Sequence, residues 1–360
     1  MIHLTIFLVS YVLTHIGMSV ILRMFPKWGL LDNPKKYGLS RAAIPYSAGI
    51  IIPIILFLCM FLFLPFSVAY IGIFFSGTLL SIVSFIDDRK GLPAGFRLGI
   101  HILCALIIVA SGVSIEHISN PFGGADISLG DPNFSFGIFT FKPLEILFTT
   151  FWIVFVMNAI NLLDGIPGLV SGVGGIASLT IFGLSLILFF SDTTTAVEKL
   201  SSWNVGNLSL IFSGILLAFV MYDFFPPKVI IGDTGAMFIG FILAILSIIS
   251  GGKLATTLIV LGLPLVDMLW VIIRRISKGQ SPIAADENHY HHKLLRLGLS
   301  ERQALLTFYA TSLILGILSL YLLFTFKTAG KFVAIVLIAI LIFVTSFLLI
   351  KKETNRKRGF

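Results

Sequence analysis

Eleven long apolar stretches run through the chain, at about 3–25, 46–65, 67–86, 97–114, 143–161, 167–190, 204–222, 234–250, 254–273, 304–326 and 331–350. A helix that crosses a bilayer needs about 20 mostly apolar residues, so each stretch predicts one crossing. The second and third are separated only by a turn near Pro65. Charged residues make up 12% of the chain and the mean hydropathy is +1.03. A water-soluble domain carries about 25% charge, so lipid is the solvent this composition requires. The reading is an all-α integral membrane protein with about eleven transmembrane helices, forming one polytopic domain over 1–360 with a basic tail at 351–360. The first stretch lacks a basic leader and is followed by Arg23 and Lys27, as a retained span would be. Cys59 and Cys104 fall inside spans and read as small packing residues.

Positive charge orients the chain, because cytoplasmic loops retain Lys and Arg. With the N-terminus outside and the C-terminus cytoplasmic, the inner segments hold 20 of the 25 basic residues. The sequence pI near 9.5 is then a topology signal and requires no nucleic-acid partner. The tail Lys351–Phe360 suits anionic membrane lipids. The outer loop at about 115–142, rich in Gly, Pro, Asn and Ser, reads as irregular surface.

Four polar clusters lie on the inner side of that topology. Asp87 and Asp88 end the third span, where two adjacent carboxylates repel each other and are hard to desolvate. Alone they read as a solvated helix end or as a pair for a hard cation or phosphate. Asn158, Asn161 and Asp164 follow at intervals of three, on one helix face, with Gly165 and Gly168 allowing a tight turn. A polar contact between helices is the plainer reading of that set. Asp233 stands between Gly232 and Gly235 at the start of the eighth span, as a helix cap or as a metal–phosphate ligand. His289, His291 and His292 fall within four positions, without the thiolates or the i, i+4 His pair of a zinc site. Arg41 precedes the second span and either holds a phosphate or reaches to the interface. Asp267, inside the ninth span, reads as functional or as a partner of Arg274 and Arg275. His3, His15, His101 and His117 are scattered and read as structural or interfacial. Carboxylates, basic groups and histidines on one side of a membrane are the equipment of phosphoryl transfer. A transporter for an anionic or lipid-linked substrate is the competing reading from composition alone.

At these residues the sequence resembles the polyprenyl-phosphate N-acetylhexosamine-1-phosphate transferases (glycosyltransferase family 4, the group of WecA, TagO and MraY). Asp87-Asp88 looks like its paired-aspartate motif, Asn158 to Gly168 like its Asn-x-x-Asn-x-x-Asp-Gly segment, and Gly232-Asp233-Thr234-Gly235 like its Gly-Asp-x-Gly motif. His289-x-His291-His292 looks like the His-x-His-His form of the WecA branch rather than the three consecutive histidines of MraY. The chain departs at Pro167, where a second aspartate is usual, at Ile230, where an aromatic is usual, and at Ala48, where a glycine is usual.

The resemblance implies transfer of an N-acetylhexosamine 1-phosphate, with GlcNAc 1-phosphate the first choice, from a UDP-sugar to undecaprenyl phosphate, releasing UMP. It implies Mg²⁺, or Mn²⁺ in its place, and a site on the cytoplasmic side of a bacterial inner membrane. It places the reaction at the first membrane step of a cell-envelope polysaccharide such as lipopolysaccharide or teichoic acid. It assigns Asp233 and Asp87 to the metal, and catalytic roles to Asp87, Asp88, Asp164, His289, His291 and His292. Arg41, Asn158, Asn161 and Gly165 would bind substrate. A homodimer is left open.

Overall fold

The computed structural model describes residues 1–34, 41–118, 126–136, 139–192, 194–250, 258–277, 279 and 290–325. It is a helical bundle: α1 (Ile2–Met24), α2 (Ile51–Phe63) after a 3-10 turn at Ala48–Ile50, α3 (Val68–Lys90), α4 (Ala94–Ala110), α5 (Pro143–Asn161), α6 (Leu169–Phe189), α7 (Ala196–Asp223), α8 (Gly232–Ile249), α9 (Gly262–Ser277), α10 (Tyr290–Arg296) and α11 (Glu301–Thr325). Among the described residues seven helices are long and apolar enough to cross a membrane, and α2 with its turn and α4 are shorter apolar helices. Among the described residues, each apolar stretch up to 304–326 contains a helix. The stretch expected at 331–350 and the tail at 351–360 lie outside the described residues.

The helices begin and end for local reasons. Pro143 occupies the first turn of α5, where its missing N–H costs nothing. Thr195 and Glu198 cap α7 reciprocally: the Thr195 hydroxyl accepts from the Glu198 amide at 3.3 Å, and the Glu198 carboxylate accepts from the Thr195 amide at 2.7 Å. Serine and threonine hydroxyls buried within spans donate to a carbonyl one turn back, as Thr14 does to Ser10 and Ser81 to Gly77. Those bonds satisfy groups that lipid cannot.

The outer loop is more regular than expected. His117–Ile118 pairs with Ile127–Ser128, and Phe134–Phe136 pairs with Phe139–Phe141, both antiparallel. The second hairpin alternates Phe with Ser or Thr, and aromatic and β-branched residues suit a pleated ribbon. Loop composition concealed that alternation.

α8 is the axis of the bundle, packed by α3, α5, α6 and α7. Every residue of α8 is buried except Asp233 at its head and Ile249 at its tail. Trp152 of α5 donates to the Ser247 hydroxyl of α8 at 2.8 Å, a link that fixes the rotation of one helix against the other. At the periphery, α1 exposes Leu4, Leu8, Val12, Ile16 and Val20 along one face. An apolar stripe of that length faces lipid rather than water.

The segment before α2 is stitched to the segment before α8. Ala48 N donates to Ile230 O at 2.9 Å, Gly49 N to Ile231 O at 3.1 Å, and Ile230 N to Pro45 O at 2.8 Å. Here Gly49 meets Gly235 backbone to backbone. A Cβ on Gly49 would stand 2.5 Å from Ile231 O and 2.7 Å from Gly235 N, atoms that cannot swing aside. We expect Gly49→Ala to cost about 1–3 kcal/mol, the usual range for overpacking a core. It should lower the thermal midpoint in detergent. Gly95→Ala, where an added Cβ meets nothing within 4 Å, should not. Equal midpoints for both variants would show that the contact has slack.

Candidate active site

The C-terminal ends of α3, α5 and α7 and the N-terminal ends of α4, α6 and α8 gather at one end of the bundle, where the carboxylates stand. α8 begins with Ile231 at its N-cap, a side chain with no acceptor to offer its first free amides. Asp88, 145 residues earlier in the chain, takes that place. Its Oδ1 accepts from Asp233 N at 2.9 Å, and its Oδ2 accepts from Thr234 N at 3.2 Å and the Thr234 hydroxyl at 2.6 Å. The approach needs Gly232, whose φ is +68° and where a Cβ would lie 2.6 Å from Asp88 Oδ2. The carboxylate also sits at the positive end of the helix dipole. Asp88 is thus a cap supplied by another helix, and Asp233 is released from capping.

Asp87 faces the other way and is 8% exposed. Its Oδ1 accepts from Leu92 N at 2.6 Å, and its Oδ2 pairs with Arg97 Nη1 at 2.9 Å. The same Arg97 nitrogen reaches Asp233 Oδ2 at 3.4 Å. One guanidinium therefore bridges two carboxylates from α3 and α8. Arg97 entered the sequence reading only as a cytoplasmic charge. The signal for it was the Gly91-Leu92-Pro93 break, which folds the first turn of α4 back beside the end of α3.

Asp164 lies in the turn after α5, half-buried. Desolvation, and then the charges of Asp223, Asp233 and Asp88, hold its carboxyl well above the usual range. Tyr46 belongs to the same group: its hydroxyl donates to Asp88 Oδ1 at 3.3 Å. Burial first, then Asp88, Asp233 and Asp164, push the phenol upward, so it remains a donor at neutral pH. From the segment before α2, the tyrosine faces the cluster. Arg41 instead forms a two-pronged pair with Asp32, at 2.6 and 3.3 Å. Asp32 also accepts from Ile44 N at 2.8 Å, so the pair holds the loop together.

Asn158 and Asn161 are both half-buried at the end of α5. Asn158 Nδ2 donates to Val154 O at 2.7 Å, within its own helix. Gly165 is exposed in the turn, with its amide on Leu163 O at 2.7 Å. Asp223, which the sequence reading passed over, is 3% exposed and accepts from the Ser171 hydroxyl at 2.9 Å. It ties the end of α7 to the first turn of α6. Asp267 accepts from Tyr290 N at 3.0 and 3.1 Å, so it ties α9 to the start of α10, the helix that carries His291 and His292. His289 lies outside the described residues.

Asp87 and Asp233 offer only oxygen donors around Arg97. Among the described residues no three His, Cys, Asp or Glu side chains form a ready cage for an ion. That donor set fits Mg²⁺, which keeps several waters and is held by one or two carboxylates together with substrate phosphates.

The crowding of Asp164 has a measurable sign. Its folded pKa is raised, so the folded state is penalised increasingly as pH climbs above the unfolded value near 4. Asp164→Asn removes that penalty. The thermal midpoint at neutral pH should rise by a few degrees relative to the parent, and the difference should vanish toward pH 4. A midpoint that falls at neutral pH would show that the charge is compensated.

Comparison with known proteins places these residues in a lineage. The family described as glycosyl transferase family 4 matches residues 70–251, a span that contains Asp87, Asp88, Asp164, Asp223 and Asp233. A Bacillus subtilis protein named "Probable undecaprenyl-phosphate N-acetylglucosaminyl 1-phosphate transferase" is 31% identical over 349 residues, covering 93% of this chain and 88% of the relative. The Escherichia coli K12 protein named "Undecaprenyl-phosphate alpha-N-acetylglucosaminyl 1-phosphate transferase" is 27% identical over 288 residues, 77% of this chain and 72% of the relative. The Mycolicibacterium smegmatis "Decaprenyl-phosphate N-acetylglucosaminephosphotransferase" is 29% identical over 251 residues, 65% of this chain and 58% of the relative. With its carboxylates inside the matched span and a relative similar along nearly its whole length, the chain belongs to glycosyl transferase family 4.

Proposed function

We propose that this membrane protein transfers N-acetylglucosamine 1-phosphate from UDP-N-acetylglucosamine to undecaprenyl phosphate and releases UMP. The observation that carries the reading is the bridge Asp87–Arg97–Asp233 at the head of α8, a helix buried along nearly its whole length. The names of the similar proteins supply the sugar and the polyprenyl phosphate. The excess of Lys and Arg in the loops at this end supports a cytoplasmic position, where a nucleotide sugar is found. The similar proteins named above come from bacteria, which supports a bacterial plasma membrane as the location.

In the reaction an oxygen of the lipid phosphate bonds to the phosphorus that carries the sugar. The bond from that phosphorus to the bridging oxygen breaks, and UMP leaves with that oxygen. Two anionic substrates must meet, so their repulsion has to be offset. Arg97 does part of this, and it already spans the two carboxylates between which a phosphate would enter. Mg²⁺ bound by Asp233 and Asp87 would supply the remaining positive charge. Asp87 orients the attacking phosphate and takes its proton when it arrives as a monoanion. Asp88 keeps the head of α8, and with it Asp233, in place. Tyr46 offers a donor beside the carboxylates. Asn161 and Asp164 line the nucleotide side, and His289, His291 and His292 contact the diphosphate. Arg41 is assigned to holding the loop that carries Tyr46, in place of direct phosphate binding.

Purified protein in detergent, given undecaprenyl phosphate, Mg²⁺ and UDP-N-acetylglucosamine, should release UMP and form a lipid-linked sugar diphosphate, and should stop when EDTA is added. A panel of UDP-N-acetylhexosamines that yields no UMP defeats the reading, and would favour transport without chemistry.

The two aspartates at α8 should separate. Asp233→Asn is expected to lower kcat by about 10³-fold, a common size for a lost electrostatic element, with no fall in the thermal midpoint. Asp88→Ala should lose activity and also about 0.5–2 kcal/mol of stability, the usual worth of a helix cap. A stable Asp88→Ala protein would refute the capping role.

A further inference from the structure

His101 is 5% exposed, and among the described residues its buried Nδ1 has no hydrogen-bond partner. Buried polar atoms are nearly always satisfied, so an orphan at the edge of a cleft calls for an explanation. The ring lines the small cleft that Asp87, Arg97 and Asp233 also line. His101 follows Arg97 by four residues, so the two share a face of α4. One turn is about 5.4 Å along the axis. That turn runs away from the end of α4 where the carboxylates gather and into the bundle, where Leu80, Val83, Ser84, Ile100 and Met237 complete the cleft. His101 therefore stands at the mostly apolar end of the cleft, the end that a phosphate coming from the membrane side would meet first, and Arg97 holds the other end. A soluble nucleotide would come from the opposite side, past the turns.

We propose that His101 binds the phosphate of the polyprenyl phosphate acceptor, with its Nδ1–H donating to a phosphate oxygen while Arg97 holds another. This rests on the transferase reading above and goes further, since it divides the site between two substrates. The imidazole is a hydrogen-bond donor here and takes no proton from the substrate. Arg97 then has two duties, linking Asp87 to Asp233 and closing the cytoplasmic side of the acceptor's pocket.

The test compares the parent with His101→Leu and His101→Gln, the second keeping an N–H at similar reach. KM and kcat are measured separately for undecaprenyl phosphate and for the UDP-sugar. Binding of undecaprenyl phosphate alone is read as a shift in thermal midpoint. For His101→Leu we expect the acceptor KM to rise about tenfold or more, as for loss of a hydrogen bond to a charged group. The UDP-sugar KM should stay within about twofold. The lipid-induced thermal shift should shrink, and the lipid-free midpoint should not fall, because an orphan has been removed. His101→Gln should recover most of the acceptor affinity. An unchanged acceptor KM in His101→Leu, equal increases for both substrates, or a lower lipid-free midpoint would overturn the proposal. A parent that binds the lipid phosphate but releases no UMP would overturn the transferase reading alone. The binding comparison would still decide the role of His101.

Discussion

At the end of α3 a carboxylate accepts the first free amides of α8, and the arrangement of the site follows from that contact. A helix start buried in a bundle leaves donors that lipid cannot satisfy. Ile231 has nothing to give them, so Asp88 does, at 2.9 and 3.2 Å. The bond joins residues 145 positions apart and sets how far α8 stands from α3. Asp87, one residue earlier, is thereby turned toward Arg97 and Asp233. A motif of two adjacent acids is thus two tasks at right angles, one holding a helix and the other facing a substrate.

The same device recurs. Asp223 at the end of α7 holds the first turn of α6, through the Ser171 hydroxyl. Asp267 within α9 caps α10. In each case the acid lies inside or at the end of an apolar span, where an unpaired carboxylate is costly. The helix start it meets is equally in need of an acceptor. Two expensive groups satisfy one another, and the bundle gains a joint between distant segments. Stability and site geometry are here the same contacts.

Apolar run length made the helices legible from sequence, and α5 was expected at the very residues where it lies. The carboxylate motifs were legible because acids at span ends are rare enough to notice. Their division of labour was not, since nothing local tells which of Asp87 and Asp88 faces a helix start. Arg97, Tyr46 and Asp223 escaped for the same reason: each matters through a partner in another helix. The resemblance gave Arg41 to phosphate, and its pairing with Asp32, nine residues away, was not legible because Asp32 sits in an unremarkable loop. His101 looked like a stray histidine until the cleft gave it neighbours.

The burial of α8 along its whole length has a consequence for how such a protein tolerates change. Each residue of a helix turns its neighbours by about 100° and advances them by 1.5 Å. The position of Asp233 is therefore written by the apolar side chains beneath it. Phe238 and Ile242 are both fully enclosed, so a methyl gained or lost there is expected to shift the carboxylate at the head. The lipid-facing stripe of α1 is under no such restraint and is free to drift so long as it stays greasy. Sequence divergence within this architecture should then be radial, fast at the rim and slow on the axis, with the slow part set by mechanics as much as by chemistry.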